Sequence, residues 1–365
     1  MSLDRYQRRR VWITGVGVLC ALGNEREAIL RSVDGEGATL KHIDVAGRRV
    51  GTHPVAPFDT VAAIPDRRSR ELLSQVMQYG VIAAEHALAS AASERGARQE
   101  IALCVAASNG ERSDETDRRV IGEAHGSEDP DAVVNKVLAR ALRPTSFLGR
   151  LPNMLAANIS TMLGVEGASR SFIGGAAAGF HAVKTGYDLI AHGRYEVVLV
   201  GGAFNPDSVD ALLQHVLTAE ENQLASGSSH PGGAAAFLVI ASDNYAPSDR
   251  RVGELSDVRV FGEQVASGSC VDAEGSCRVE LVIEKEAVES LGAVAATGLL
   301  PMRSAYRIDA IAGDCREAAF PLGVAIGALC LGRGGPMQAE VTARHQDGAC
   351  ATAGISSAPA KLKEF

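Results

Sequence analysis

Aromatic residues are scarce in this chain of 365 residues: Phe, Trp and Tyr together make up 4% of it. That scarcity argues against an aromatic-rich β-barrel, while 39 glycines and a hydrophobic content of 46% suit close helix-on-sheet packing by small residues. Positive charge is not in excess either. The net charge is −8, which argues against a nucleic-acid partner, because such binding rests on neutralising phosphates. No apolar run reaches membrane-spanning length, and Arg8, Arg9 and Arg10 lead straight into a strand pattern, as no cleavable signal would. A soluble, cytoplasmic protein without membrane contact is therefore expected. The seven cysteines are scattered, and Cys270 and Cys277 lack the second pair that a zinc site needs, so reduced thiols and no metal are expected. Gly174-Gly175 and Gly201-Gly202 lack the lysine of a phosphate loop, which leaves close packing as their account. No cofactor is called for.

The length exceeds one typical core, so one large α/β domain or two fused halves is expected. Strand patterns run over Val11 to Leu19, Ile101 to Ala106, Ser169 to Ile173, Val197 to Val200 and Ala234 to Ala241. Helical patterns cover Glu25 to Val33, Pro152 to Leu163 and Ala177 to Ala191, the last apolar on nearly every side and hence buried. Ser108 to Asp117 reads as a polar segment and residues 124 to 131 as an acidic surface loop. After the polar linker Asn244 to Asp249 the pattern restarts. Strands are expected at Arg251 to Val260, Arg278 to Ile283 and Ala305 to Ile311, a buried helix at Arg316 to Leu331, and a closing strand pair within Gln338 to Ala351. The chain divides into an N-terminal half (1–243), a shortened C-terminal half (250–355) and a loose tail (356–365). Short β runs alternating with buried helices predict parallel-rich sheets covered on both faces.

The opening RRVWITGVGVLCALGNEREAIL resembles the first strand and helix of the condensing β-ketoacyl synthases of the thiolase superfamily. The stretch from Phe147 to Asn205 resembles their core without a gap, with Asn153-Met154, Gly164, Gly179, His181-Ala182, Gly193 and Gly201-Gly202-Ala203 in register. Residues 312 to 337 (AGDCREAAFPLGVAIGALCLGRGGPM) are similar to the segment carrying one of that family's catalytic histidines. The resemblance is continuous in the first half and patchy in the second. It implies the layered α-β-α-β-α thiolase fold made of two similar halves.

The same resemblance implies that the chemistry is gone. The family places its nucleophilic cysteine in a turn opening a buried helix, where the helix N-terminus lowers the thiol pKa and backbone N–H groups hold the oxyanion. Gly174 and Gly175 keep that turn, but Ala176 stands at the cysteine position, and a methyl group forms no acyl-enzyme. Asp314 stands where the family has a catalytic histidine, and its carboxylate would repel an anionic malonyl group. The Ala-His-Gly-Thr motif of the other histidine is absent, Leu291 to Ile311 is shortened, and DGACATAG (347 to 354) replaces the Gly-Phe-Gly-Gly gate.

These losses fit the chain-length factor, the inactive half of a type II polyketide ketosynthase heterodimer. The resemblance then implies pairing with an active ketosynthase through the strand around Arg170, Phe172 and Ile173. It also implies a share in bounding the acyl tunnel, with Asn109 to Val120 and the segment holding Ser146, Leu148, Asn153, Met154, Leu155 and Ala157 as wall candidates. Acyl carrier protein would be met through the complex; carriers are acidic, so contact needs a local basic patch. Aromatic polyketide, aryl polyene, other polyene and unusual fatty acid all stay open as products, the shortened second half leaning toward a polyene. Two other readings stay open: an acyltransferase or hydrolase using Cys315, Cys350 or a carboxylate in the old cavity, and a standalone acyl-binding or regulatory homodimer. Beside them stand the plain roles of Cys315 as an apolar filler, Cys350 as a thiol in a glycine-rich turn, His181 as a satisfied core histidine, and Arg8 to Arg10 as a solvated edge.

Overall fold

A computed structural model describes residues 8–45, 47–108, 110–111, 114–141, 149–221, 230–261, 278–285, 302–331, 337–344 and 349–357. The strands are β1 (Val11–Cys20), β2 (Lys41–Val45), β3 (Arg48–Thr52), β4 (Ala102–Ala107), β5 (Ser169–Phe172), β6 (Val197–Phe204), β7 (Ala234–Ser242), β8 (Gly253–Phe261), β9 (Arg278–Lys285), β10 (Met302–Arg307), β11 (Met337–Arg344) and β12 (Cys350–Ser357). The α-helices are α1 (Arg26–Arg31), α2 (Thr60–Ala63), α3 (Arg67–Leu72), α4 (Gln75–Ser90), α5 (Asp114–Ala124), α6 (Pro130–Ala141), α7 (Met154–Leu163), α8 (Ala176–Ala191), α9 (Val209–Glu221), α10 (Ile308–Ala312) and α11 (Ala319–Leu331).

Apart from the β2–β3 hairpin, the strands form one sheet in the order β10-β9-β11-β12-β8-β1-β7-β6-β4-β5. The strands from either side of residue 250 join where Val11, Trp12 and Ile13 of β1 pair with Leu255, Glu254 and Gly253 of β8. The sheet folds around a buried helical layer: α11 packs against β7 and β1 on one side and against β9, β11 and β12 on the other, with α8 beside it. Alternation along β4 sets its two faces. Ala102, Cys104 and Ala106 face that middle layer, while Leu103, Val105 and Ala107 face α4 and α7 outside. This mixed α/β architecture is the thiolase-like fold.

Several expectations need correction. Only β4 with β5 and β4 with β6 pair in parallel; every other strand pair described is antiparallel. Apolar runs report burial on both faces, which helices on either side supply here, and carry no information on strand direction. In the second half the face turned away from the helices is polar, with Glu280, Gln338, Glu340 and Arg344 exposed. Among the described residues the helices of that half lie on one side of its strands. Of the acidic loop expected at 124 to 131, residues 125 to 129 form the largely exposed connection between α5 and α6 and only its ends are helical, whereas Ile308 to Ile311 are helical, not strand. The closing pair extends further than expected, so Ser356 and Ser357 belong to β12 rather than to a tail, and Cys350 opens a strand instead of sitting in a turn. The rest of the tail, 358–365, lies outside the described residues, as do Asn109, Ser146, Leu148, Cys270, Cys277 and all of 291 to 301.

Two glycines of β1 set how closely a helix approaches. A Cβ at Gly15 would lie 2.1 Å from the Ala87 carbonyl oxygen, and one at Gly17 2.0 Å from that of Ala83, so the strand runs against the bare backbone of α4. The arginine run is tied down rather than merely solvated. Arg9 pairs with Glu196 and Arg10 with Glu254, and Arg10 and Arg251 both stack on Trp12, 4.5 and 4.3 Å from its ring centre.

Candidate functional site

β5 delivers the chain to a turn whose two glycines both have positive φ, 131° at Gly174 and 61° at Gly175, a region that side-chain-bearing residues rarely enter. α8 begins at once with Ala176, which is 1% exposed. The expected elbow is thus present at the N-terminus of a buried helix, and the position that would hold a nucleophile carries a buried methyl group. A methyl group offers no lone pair or titratable proton for nucleophilic chemistry.

Facing the elbow is the segment from Gly313 to Ala318, a short loop and a 3-10 turn that precede α11. Its backbone is held by the 230–232 loop: the Asp314 N–H donates to the His230 carbonyl (2.8 Å), and the Gly232 N–H donates to that of Asp314 (2.9 Å). The Asp314 carboxylate turns back to accept from the Arg316 N–H (3.1 Å). Arg316 takes a left-handed φ of 42°, lays its guanidinium over the Phe204 ring at 5.5 Å and donates to Gln214 of α9. No histidine stands at the Asp314 position, but His230 and His53 lie close to it in the fold, their ring centres 6.0 Å apart, with His215 in the same electrostatic neighbourhood. Burial lowers the pKa of all three, which favours neutral rings.

The two candidate thiols are poor nucleophiles. Cys315 is 1% exposed, points its sulfur at the Gly313 carbonyl (3.4 Å), and burial pushes its pKa well above the ordinary thiol value. Cys350 is half-buried, is also pushed up by burial, and lies in the second-half sheet between Phe261 and Arg344. Cys20 and Cys104, pushed up to about 12 by burial, behave as small apolar fillers. Among the described residues no His, Cys, Asp and Glu group could hold a metal ion, and no helix is long and apolar enough to cross a membrane.

The interface and tunnel candidates separate by burial. Among the described residues β5 ends the sheet with one edge free of strand partners; Arg170, Ile173, Asn153, Ala157 and His181 are exposed. His181 is therefore a surface residue rather than a satisfied core histidine. Phe172 and Met154 are partly buried. Leu155 is 2% exposed and packs against α4, since a Cβ on Gly80 would lie 2.5 Å from its Cδ1, so it serves the core and not a lumen. Glu111, in the segment after β4, accepts from the Asn205 amide at the end of β6 (2.6 Å), which ties that segment to the rim of the site.

Sequence reasoning passed over Glu317, which lies in the 3-10 turn opposite the elbow with only 5% of its surface exposed. The signal was there: it is the last charged residue before thirteen helical residues with no polar side chain.

The fold is thiolase-like, with a two-glycine turn opening a buried helix at Ala176. The profile of the family described as Beta-ketoacyl synthase, N-terminal domain, matches residues 8–232, and the chain belongs to that family. Among curated proteins it is 22% identical over 197 residues to 3-oxoacyl-[acyl-carrier-protein] synthase 1 of Buchnera aphidicola subsp. Acyrthosiphon pisum, covering 53% of this chain and 47% of that one. It is 27% identical over 203 residues to 3-oxoacyl-[acyl-carrier-protein] synthase 2 of Vibrio cholerae, covering 54% and 46%. These matches thus span about half the length of the curated relatives. Among solved structures, the ishigamide ketosynthase/chain length factor aligns over 96% of this chain and 99% of its own with a TM-score of 0.68 and 16% identity. A type II PKS acyl-carrier protein in complex with its ketosynthase aligns with a TM-score of 0.66, 16% identity and the same coverage. At that identity the likeness concerns the fold.

Proposed function

We propose that this chain is a non-catalytic ketosynthase-like subunit of the chain-length-factor type, which pairs with an active ketosynthase and helps to bound its acyl tunnel. The observation that carries the reading is Ala176: a complete elbow, with both strained glycines and the helix N-terminus, presents a methyl group. Asp314 at the second catalytic position and the two raised thiols leave the elbow no other nucleophile among the described residues. The free edge of β5, with Ile173 54% exposed and Leu151 45% exposed nearby in the chain, supplies a surface for a partner's equivalent strand. Acyl carrier protein would reach the pair through the active subunit.

Asn153, Met154 and Ala157 remain the wall candidates on α7 and its start, Leu155 having gone to the core. In a reconstituted complex with the active ketosynthase and its carrier, Ala157→Trp is expected to shorten the main product by at least one extender unit. Mass spectrometry of the released products checks this. An unchanged product distribution, from a complex of unchanged native mass, would remove the tunnel role.

A further inference from the structure

Histidines gather where the β2–β3 hairpin meets the 230–233 segment: His42, His53 and His230 lie at the contact, and His215 of α9 is close enough to feel their charge. His42 stands opposite Gly51 in the hairpin, and His53 follows Gly51 by two residues, the spacing that puts side chains on one face. The His230 ring lies against that face at the glycine. A Cβ on Gly51 would sit 2.8 Å from the ring's Nδ1 and 2.9 Å from its Cε1. The His53 and His230 ring centres are 6.0 Å apart, and both residues are partly buried. Around them the backbone forms a ladder of three segments. The His53 N–H donates to the Pro231 carbonyl (2.8 Å), and the Gly233 N–H to that of His53 (2.7 Å). On the far side the Asp314 N–H donates to the His230 carbonyl (2.8 Å), and the Gly232 N–H to that of Asp314 (2.9 Å). The segment that carries His230 therefore joins the hairpin to the 313–318 segment facing the elbow.

We propose that this contact is an acid-operated latch: protonation of the His53–His230 pair drives the hairpin off the 230–233 segment and loosens the 313–318 segment behind it. Two imidazolium rings 6.0 Å apart repel each other, and each loses water in the contact. The surrounding charges do not offset this. His42 acts on His230, and Arg316 on His215, with the same sign as the protonated rings. Asp207, beside Thr52 on the other face of the hairpin, accepts from Thr52 and from the Lys41 ammonium, each at 2.9 Å. The Asp314 carboxylate accepts from the Arg316 N–H. Asp44 and Arg49 stand opposite each other nearer the hairpin turn, both exposed. Burial is the first cause that lowers the pKa of His53, His215 and His230, and neighbouring histidines add to it; for His53 the Thr39 and Ala38 carbonyls pull the other way. A folded-state value below the ordinary 6.5 means that the pair's contribution to stability is complete above 6.5. It is lost as pH falls from there through the folded values, because the opened state then binds more protons. The latch needs neither a ketosynthase partner nor any chemistry at the elbow.

The test is amide hydrogen exchange of the full chain, read by mass spectrometry at about pH 7.5 and about pH 5.5, on either side of histidine's ordinary range. Rates are corrected for the intrinsic effect of pH on exchange. Peptides containing 41–53 and 230–233 are expected to lose protection about 10-fold or more at the lower pH, the factor for one proton taken up across one pH unit. Peptides from β4 and β6 should keep theirs. The double variant His53→Gln with His230→Gln has no titrating ring at the contact, so its protection there should change by less than about 2-fold between the two conditions. Unchanged protection in the unaltered chain, a loss spread evenly over the sheet, or an equal loss in the double variant would overturn the proposal. If the double variant does not fold, exchange of the ring C2 hydrogens in the unaltered chain answers instead. His53 and His230 are expected to titrate below 6.5, with the loss of amide protection following the same curve; titration of both at or above 6.5 would overturn the latch.

Discussion

Phe320→Ala is expected to cost about 3–5 kcal/mol of folding stability, the range for removing a buried aromatic side chain. Phe320 opens α11 and Phe180 lies one turn into α8; both are fully buried, with ring centres 5.4 Å apart in an edge-to-face arrangement. This pair joins the two helices of the middle layer, and that layer is what the two halves share. A double cycle with Phe180→Ala should show a coupling of about 0.5–1.5 kcal/mol beyond the loss of area. Urea unfolding followed by the fluorescence of Trp12, the single tryptophan, measures both. A loss below about 1 kcal/mol would mean that α8 and α11 do not depend on each other, and that the shared core is misdescribed.

Gly17→Val should abolish soluble expression of the folded chain. Its Cβ would sit 2.0 Å from the Ala83 carbonyl oxygen and 2.5 Å from the Ala87 nitrogen, both backbone atoms of α4. No rotamer relieves a backbone clash, so strand and helix must part, at a cost of about 3 kcal/mol or more. Because β1 pairs with β7 on one side and β8 on the other, the damage reaches both halves. A circular-dichroism spectrum and unfolding midpoint like those of the unaltered protein would contradict the close approach.

Much of this was legible in the sequence, for physical reasons that also explain what was not. β4 and β7 read clearly because each is a short, almost wholly apolar run closed by small or polar residues, and α8 because apolar and small residues fill most of its length. β6 was read only to Val200, since Gly201-Gly202 looks like a turn; in the fold the strand runs through both, where bare backbone lets Phe237 and the Glu317 carbonyl come close. The β2–β3 hairpin and α4 went unread. The hairpin is largely polar and exposed, and α4 is apolar around most of its circumference, so neither shows a clean alternation. Ala176 and Asp314 were found through resemblance, since no periodicity marks a missing nucleophile. Glu317 was lost for the opposite reason. An acid at the head of an apolar helix reads as ordinary helix-end charge, and only the packing of two segments distant in sequence, its 3-10 turn and α8, shows it buried. His181 read as core because α8 is apolar on most sides, yet its own side faces out.

The central claim, that this chain completes an active ketosynthase rather than working alone, is tested most directly by native mass. The chain is expressed alone and together with a candidate active ketosynthase, and each preparation is weighed by native mass spectrometry. The account predicts a stable one-to-one complex on co-expression, with the lone chain insoluble or weakly associated because the β5 edge and Ile173 are left uncovered. A self-sufficient homodimer that ignores the ketosynthase would contradict it.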